Sequence, residues 1–196
     1  MSIAAILAGG RASRLGGLDK SQLVVDGLTI LDRQLRVLRD VVDRVVIVAN
    51  DPAPFAAIDA AVIPDLVPGA GALGGIYTAL SHAGGPVLVV ACDMPFLTAP
   101  FLRHVLQAGE GADAAVPRDA GGYHPACACY APACSGPILR RIEAGELRVL
   151  DLFGDVHVRT IDQAEIAVFD PDGSLLLNIN TPGDFARAER GRRPRA

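Results

Sequence analysis

The chain has 196 residues, 51% of them hydrophobic and 20% charged, which is enough for one domain with a full core. A formal net charge of −4 supplies no general attraction to nucleic acid or anionic membranes, and no apolar run approaches the ~20 residues of a membrane span. No basic segment precedes the first apolar run, so a secretory signal is not expected and the chain reads as cytoplasmic.

Short apolar runs alternate with amphipathic segments, the pattern of a parallel sheet with helices on both faces. The expected fold is a single three-layer α/β/α domain with a mostly parallel, Rossmann-like sheet. Residues 3–8 read as the first strand. A helix over 29–41 follows, with Leu31, Leu35, Leu38 and Val42 on one stripe. Residues 44–49 form a strand ending at Asn50, and 61–63 a short strand ending at Pro64-Asp65. A glycine-rich turn at 69–75 enters a helix over 74–83, and a strand over 86–92 ends at Asp93. Thr98-Ala99-Pro100 opens a helix, with proline where its missing N–H costs little. Strands at 112–116 and 121–130, helices at 132–144 and 147–153, and a late strand at 174–178 complete the pattern. Thr181, Pro182 and Asp184 have the spacing of a helix cap. Residues 1–189 read as one domain and 190–196 as a flexible basic tail.

The cysteines, Cys92, Cys127, Cys129 and Cys134, form no CxxC pair and read as reduced packing thiols. A zinc site with His124 is disfavoured, because strand parity points His124 away from the face shared by Cys127 and Cys129.

The chemistry concentrates where strands end. In open parallel sheets, ligands bind beyond the carboxyl ends of the strands. That rule selects Gly9-Gly10, Asn50, Asp65 and Asp93, with Asn178 and Asn180 after the late strand. The run Leu7-Ala8-Gly9-Gly10 leads to Arg14 and to Lys20, the only lysine in the chain. Two glycines let backbone N–H groups approach phosphate oxygens, and Arg14 and Lys20 can neutralise a polyphosphate. Asp93 closes a buried apolar strand, where a carboxylate suits Mg2+ shared with substrate phosphates. Each feature has a plain alternative: a strand-to-loop turn for Gly9-Gly10, a helix cap for Asp93, a solvated Lys20. Their joint placement favours a nucleotide-using enzyme.

A rival pattern is Gly69-Ala70-Gly71-Ala72-Leu73-Gly74, which matches the GxGxxG of dinucleotide-binding proteins, with Asp93 at the end of the next strand. Pro64 and Pro68 separate these glycines from the preceding strand, and the reading leaves Lys20 without a task. The second glycine turn is better suited to letting a flat base lie against backbone.

Leu7-Ala8-Gly9-Gly10, Arg14, Gly16 and Asp19-Lys20 resemble the signature loop of the molybdenum cofactor guanylyltransferases. The segments Gly71-Ala72-Leu73-Gly74-Gly75, Cys92-Asp93-Met94-Pro95, His124-Pro125 and Asn178-Ile179-Asn180-Thr181-Pro182 resemble that family's other motifs, in the same order. The chain departs from the pattern at Ala12, at Leu15 and at the extra length of Gly17-Leu18. The resemblance implies a nucleotide-diphospho-sugar transferase type of fold. It also implies transfer of GMP from GTP to the terminal phosphate of molybdopterin, with Mg2+ and release of pyrophosphate. It assigns Leu7, Ala8, Gly9, Gly10, Asn50 and Asp65 to the nucleotide, Arg14 and Lys20 to its phosphates, and Asp93 to the metal. Asn178, Asn180 and Arg148 fall to the acceptor. Expected partners are the two substrates and, transiently, other proteins of molybdenum cofactor biosynthesis, for a monomer or weak oligomer that binds neither nucleic acid nor membrane. A cytidylyl- or sugar-1-phosphate nucleotidyltransferase, a NAD-binding protein and a non-catalytic nucleotide-binding module are the alternatives.

Overall fold

The structure, a computed structural model, describes residues 1–8, 14–15, 18–19, 22–179 and 183–184, with main chain alone at 14–15 and 18–19. The elements in chain order are β1 (Ile3–Leu7), β2 (Arg14–Leu15), β3 (Leu18–Asp19), β4 (Val24–Val25), β5 (Leu28–Thr29), α1 (Ile30–Arg39), β6 (Arg44–Val48), β7 (Ala61–Ile63), α2 (Gly71–Ala83) and β8 (Val87–Ala91). They continue with α3 (Ala99–Ala108), β9 (Ala114–Asp119), β10 (Gly122–Tyr123), β11 (Cys127–Tyr130), α4 (Ser135–Glu143), α5 (Val149–Leu152), β12 (Val158–Ile161) and α6 (Gln163–Ala167).

The main sheet runs β10-β9-β11-β8-β1-β6-β7, with β12 also on β9. β7, β6, β1 and β8 are parallel, β11 is antiparallel to β8 and β9, and β12 is parallel to β9. The first crossover, β1-α1-β6, moves outward on one side. The chain then returns past β1 to β8 through α2. Right-handed crossovers in opposite directions put their helices on opposite faces. Ala4, Ile6, Ile47, Leu88 and Val90 accordingly pack on α1 and α3, whereas Ile3, Ala5, Val46, Val48, Val87 and Val89 pack on α2 and α4. Both faces being buried explains why these strands are continuous apolar runs.

Thr29 caps α1, its hydroxyl accepting from the Asp32 N–H at 3.0 Å. Leu31, Leu35 and Leu38 form the predicted stripe. α2 starts three residues before the predicted 74, so the predicted turn at 69–75 gives way to helix from Gly71 onward, with Gly74 and Gly75 well inside it. A Cβ on Gly74 would meet Ala70 Cβ and the Val67 carbonyl oxygen at 2.9 Å, and one on Gly75 would meet Leu7 Cδ2 at 3.0 Å. Gly75 serves close packing of the helix on β1 and Gly74 close packing against the loop that leads into α2, and the proposed base platform shrinks to Gly69 and Gly71, both exposed and at positive φ.

The predicted strand at 174–178 is absent. Leu177 N donates to the Ser174 carbonyl at 3.1 Å in a turn, and Ile179 N donates to the Asp93 carbonyl at 2.9 Å. Leu175 and Leu176 are buried in the cluster around α3, whereas Leu177 packs on Val25, Ile30, Phe96 and Ile179. Burial in two clusters, without a ladder, satisfies the apolar run. The predicted strand at 121–130 is two short strands broken at 124–126. β12, α6 and the β4-β5 hairpin were not anticipated. The Asp162-Glu165 capping box of α6 was the available sequence signal.

Candidate active site

The carboxyl ends of β7, β6, β1 and β8 lie side by side. Leu7 pairs with Val48 on one side and Ala91 on the other, and Val48 pairs with Ile63. The pairing continues just past the strands: Ala8 N donates to the Val48 carbonyl at 3.0 Å, Ala49 N to Ile63 at 3.0 Å and Cys92 N to Leu7 at 3.2 Å. Leu7-Ala8, Asn50, Asp65 and Asp93 therefore emerge at one edge, and β1 is the strand where the order reverses. This is the switch-point crevice of an open α/β sheet.

Asn50 and Asp65 are linked. Asn50 Oδ1 accepts from Asp65 N at 3.1 Å, and Asp65 Oδ1 accepts from Val67 N at 3.0 Å and from the buried Thr78 hydroxyl at 2.9 Å. Thr78 in turn accepts from Leu66 N at 2.9 Å. The loop between β7 and α2 is thus shaped by one carboxylate oxygen and one hydroxyl.

The turn carrying Asp93 is held on its main chain. Gln34, 2% exposed, donates through Nε2 to the carbonyls of Ala91 at 2.7 Å and Met94 at 3.1 Å. Arg33 donates through Nε to Pro95 at 3.0 Å and through Nη1 to Val25 at 3.1 Å. The bond from Ile179 N to the Asp93 carbonyl brings Asn178 beside this turn. Asn178 Oδ1 is buried with no hydrogen-bond partner among the described residues. A carboxylate and a buried amide oxygen are hard donors, the type that fits Mg2+ when phosphates complete its shell. No cluster of three or more His, Cys, Asp or Glu that could hold a metal unaided occurs among the described residues.

Sequence reasoning assigned no role to Asp119 and gave His124 only a disfavoured zinc site and a place in a motif. His124 Nε2 lies 2.9 Å from Asp119 Oδ2, and Asp119 Oδ1 accepts from Gly121 N at 2.8 Å. Partial burial pushes the Asp119 carboxyl up, but the His124 contact and the Gly121 and Gly122 amides outweigh it and hold it below its ordinary value. Ala91 N donates to the Ala126 carbonyl at 2.7 Å, so this pair borders the end of β8. Gln34 and Arg33 were also missed. A glutamine inside a leucine stripe was the signal for Gln34.

Arg148 does not join the group by any contact among the described residues. It precedes α5, its side chain is 76% exposed, and it lies 4.0 Å from Asp151. Gly9, Gly10, Lys20, Asn180, the Arg14 side chain, the Thr181-Pro182 cap and the 190–196 tail lie outside the described residues. The cysteines behave as packing thiols: all four are buried, and burial pushes Cys127, Cys129 and Cys134 to about 12, 11 and 12.

Residues 4–158 match the MobA-like NTP transferase domain. The chain belongs to this family. It is a nucleotidyltransferase with a mostly parallel α/β/α fold. It is 34% identical to a molybdenum cofactor guanylyltransferase of Desulfosudis oleivorans, over 94% of this chain and 92% of the relative. It is 38% identical to a molybdenum cofactor guanylyltransferase of Cereibacter sphaeroides, over 94% and 93%. Its backbone superposes on a solved structure of molybdopterin-guanine dinucleotide biosynthesis protein A from Archaeoglobus fulgidus with a TM-score of 0.85. The match has 30% identity and covers 96% of this chain and 97% of the other. The strand-end residues described above, from Leu7 to Asp93, fall within the matched family domain. No helix among the described residues is long and apolar enough to cross a membrane.

Proposed function

We propose that this nucleotidyltransferase moves GMP from GTP to the terminal phosphate of molybdopterin, in the cytoplasm, with residues 1–189 acting as one domain. The relatives' shared activity supports the reaction. The observation that carries the site is the meeting of Leu7-Ala8, Asn50-Asp65, Asp93 and the Asn178 segment at one sheet edge.

An oxygen of the acceptor phosphate attacks the α-phosphorus. The bond from that phosphorus to the oxygen bridging the β-phosphate breaks, and pyrophosphate leaves with the electron pair. The attacking oxygen is already anionic near neutral pH, so the chain has no proton to remove. Its work is placement and charge neutralisation.

The backbone at Leu7 and Ala8, continuing through Gly9 and Gly10, lies against the nucleotide, with Asn50 and Asp65 on its base or ribose. Arg14 and Lys20 bind the phosphates. Asp93, with Asn178 beside it, would hold Mg2+, which when bound offsets charge on the α-phosphate and pyrophosphate oxygens. Asn180 and Arg148 contact the acceptor.

The test is calorimetry with GTP, CTP, UTP and NAD in the presence of Mg2+, followed by pyrophosphate release on adding the acceptor. GTP binds most tightly and pyrophosphate appears only with acceptor present. CTP preference would make the chain a cytidylyltransferase, NAD preference a dinucleotide-binding protein, and GTP binding without pyrophosphate a non-catalytic module.

A further inference from the structure

We infer that Gln34 is a positioning residue that sets the place of the Asp93 carboxylate by clamping the main chain on both sides of it. The inference rests on the assignment of Asp93 to the metal and phosphates.

Gln34 occupies a core position. Leu31, Leu35 and Leu38 share its side of α1 and are buried with it. Helical spacing there calls for another apolar side chain. The amide instead reaches β8. Its nitrogen has two hydrogens, and both are used, on the carbonyls of Ala91 and Met94. Ala91 ends β8, and Met94 follows Asp93, so the two bonds bracket the carboxylate-bearing residue.

The orientation of the amide is fixed by its surroundings. Flipping it would aim an oxygen at two carbonyl oxygens. The correct orientation leaves Gln34 Oε1 buried without a partner among the described residues, an arrangement that costs stability. An apolar side chain would avoid that orphaned acceptor. What Gln34 supplies in return is control of the turn. With Arg33 on Pro95 and Ile179 N on Asp93, the carbonyls of residues 91, 93, 94 and 95 are all tied down. Displacing a catalytic group by about 1 Å costs on the order of a hundredfold in rate, so a clamp on this short segment acts on chemistry more than on folding.

The experiment uses the full chain with Gln34→Met, a substitution that keeps size and removes the donors, beside Leu35→Ala. Leu35 is buried in the same helix and makes no bond to residues 91–95. GMP transfer is measured against Mg2+ concentration, and Mn2+ binding is followed by electron paramagnetic resonance with a non-hydrolysable GTP analogue. For Gln34→Met we expect kcat to fall about tenfold to a hundredfold, the GTP KM to stay within about twofold and Mn2+ affinity to weaken several-fold. Leu35→Ala should lower the melting temperature at least as much and keep kcat where folded. Unchanged kcat and Mn2+ binding in Gln34→Met, or an equal kcat loss in Leu35→Ala, overturns the inference.

If Gln34→Met does not fold, Gln34→Glu replaces it. A neutral acid there donates one hydrogen bond, whereas a carboxylate would face two carbonyl oxygens. Its kcat relative to the unaltered protein should rise as pH is lowered, and a parallel pH profile overturns the inference. Asp93→Asn separates the two levels. If it retains transfer, the metal assignment fails and the inference with it. If it abolishes transfer while Gln34→Met is normal, the inference alone fails.

Discussion

The parallel half of the sheet, β7-β6-β1-β8, and the mixed half built on β11, β9, β10 and β12 reach the same edge but are secured by different forces. In the parallel half, strands are apolar on both faces, and most of the bonds that set the edge come from main chain, amides and hydroxyls: Gln34 on β8, Asn50 on Asp65 and Thr78 on Asp65, with Arg33 on Pro95 the charged exception. The mixed half uses charge. His124 lies 2.9 Å from Asp119, Arg159 lies 2.7 Å from Glu165 with His104 at 3.3 Å, and Arg141 reaches Glu146 at 2.8 Å and Asp155 at 2.6 Å. The difference has a physical reason. Under the proposed function, amide and hydroxyl donors such as Gln34 and Thr78 shape this edge without a fixed ion pair competing for the ligand's charges.

The comparison breaks most visibly at Lys20 and Asp93. Lys20→Ala and Asp93→Asn should each lower GMP transfer by roughly a thousandfold or more, the scale of losing a charge that acts mainly in the transition state. Melting temperatures should stay near that of the unaltered chain. Near-normal turnover in either, measured by pyrophosphate release, would remove charge neutralisation from the account.

Gly74→Ala tests how tightly the first turn of α2 packs against the loop that leads into it. The added methyl meets Ala70 and the Val67 carbonyl at 2.9 Å, closer than real Cβ contacts allow. Overpacking of this kind costs about 1–3 kcal/mol, and alanine's better helix propensity returns up to about 1 kcal/mol. Urea unfolding should show a net loss, and a stabilised variant would refute the packing role.

Asp65→Asn keeps an Oδ1 acceptor for Val67 and Thr78 but removes the charge. GTP should bind about tenfold more weakly, as for loss of a charge-assisted hydrogen bond worth about 1.5 kcal/mol, with little change in melting temperature. Asp65→Ala should lower both, because the loop loses its organiser. Equal GTP affinity in Asp65→Asn would leave Asp65 a purely structural role.

The smallest effect belongs to the mixed half. Hydrogen bonds from Arg159 hold the Glu165 carboxyl below its ordinary value, against the upward push of partial burial. A depressed native pKa gives stabilisation that is present above the unfolded value and lost as pH falls through the folded one. Glu165→Gln should therefore lower the melting temperature slightly at neutral pH and flatten its decline below about pH 4.3. Transfer at neutral pH should be unchanged. An acid limb as steep as that of the unaltered chain would show that Glu165 carries none of this pH dependence.

By itself the sequence determined where the parallel strands run and which residues stand at their ends, because a strand buried on both faces must be an apolar run and the first polar residue marks its exit. Asn50, Asp65 and Asp93 were legible for that reason, and α1 by its leucine stripe. Only the tertiary structure decided that 174–178 is no strand, since three leucines can be buried in two clusters as well as on a sheet. It also decided that Gly74 and Gly75 serve packing, and that Gln34, Thr78 and His124 shape the edge. The hydrogen bonds of Gln34 and Thr78 reach partners 12 to 60 residues away, and the His124 contact depends on a turn whose path is set by β8; long-range hydrogen bonds leave no periodic trace in a single chain.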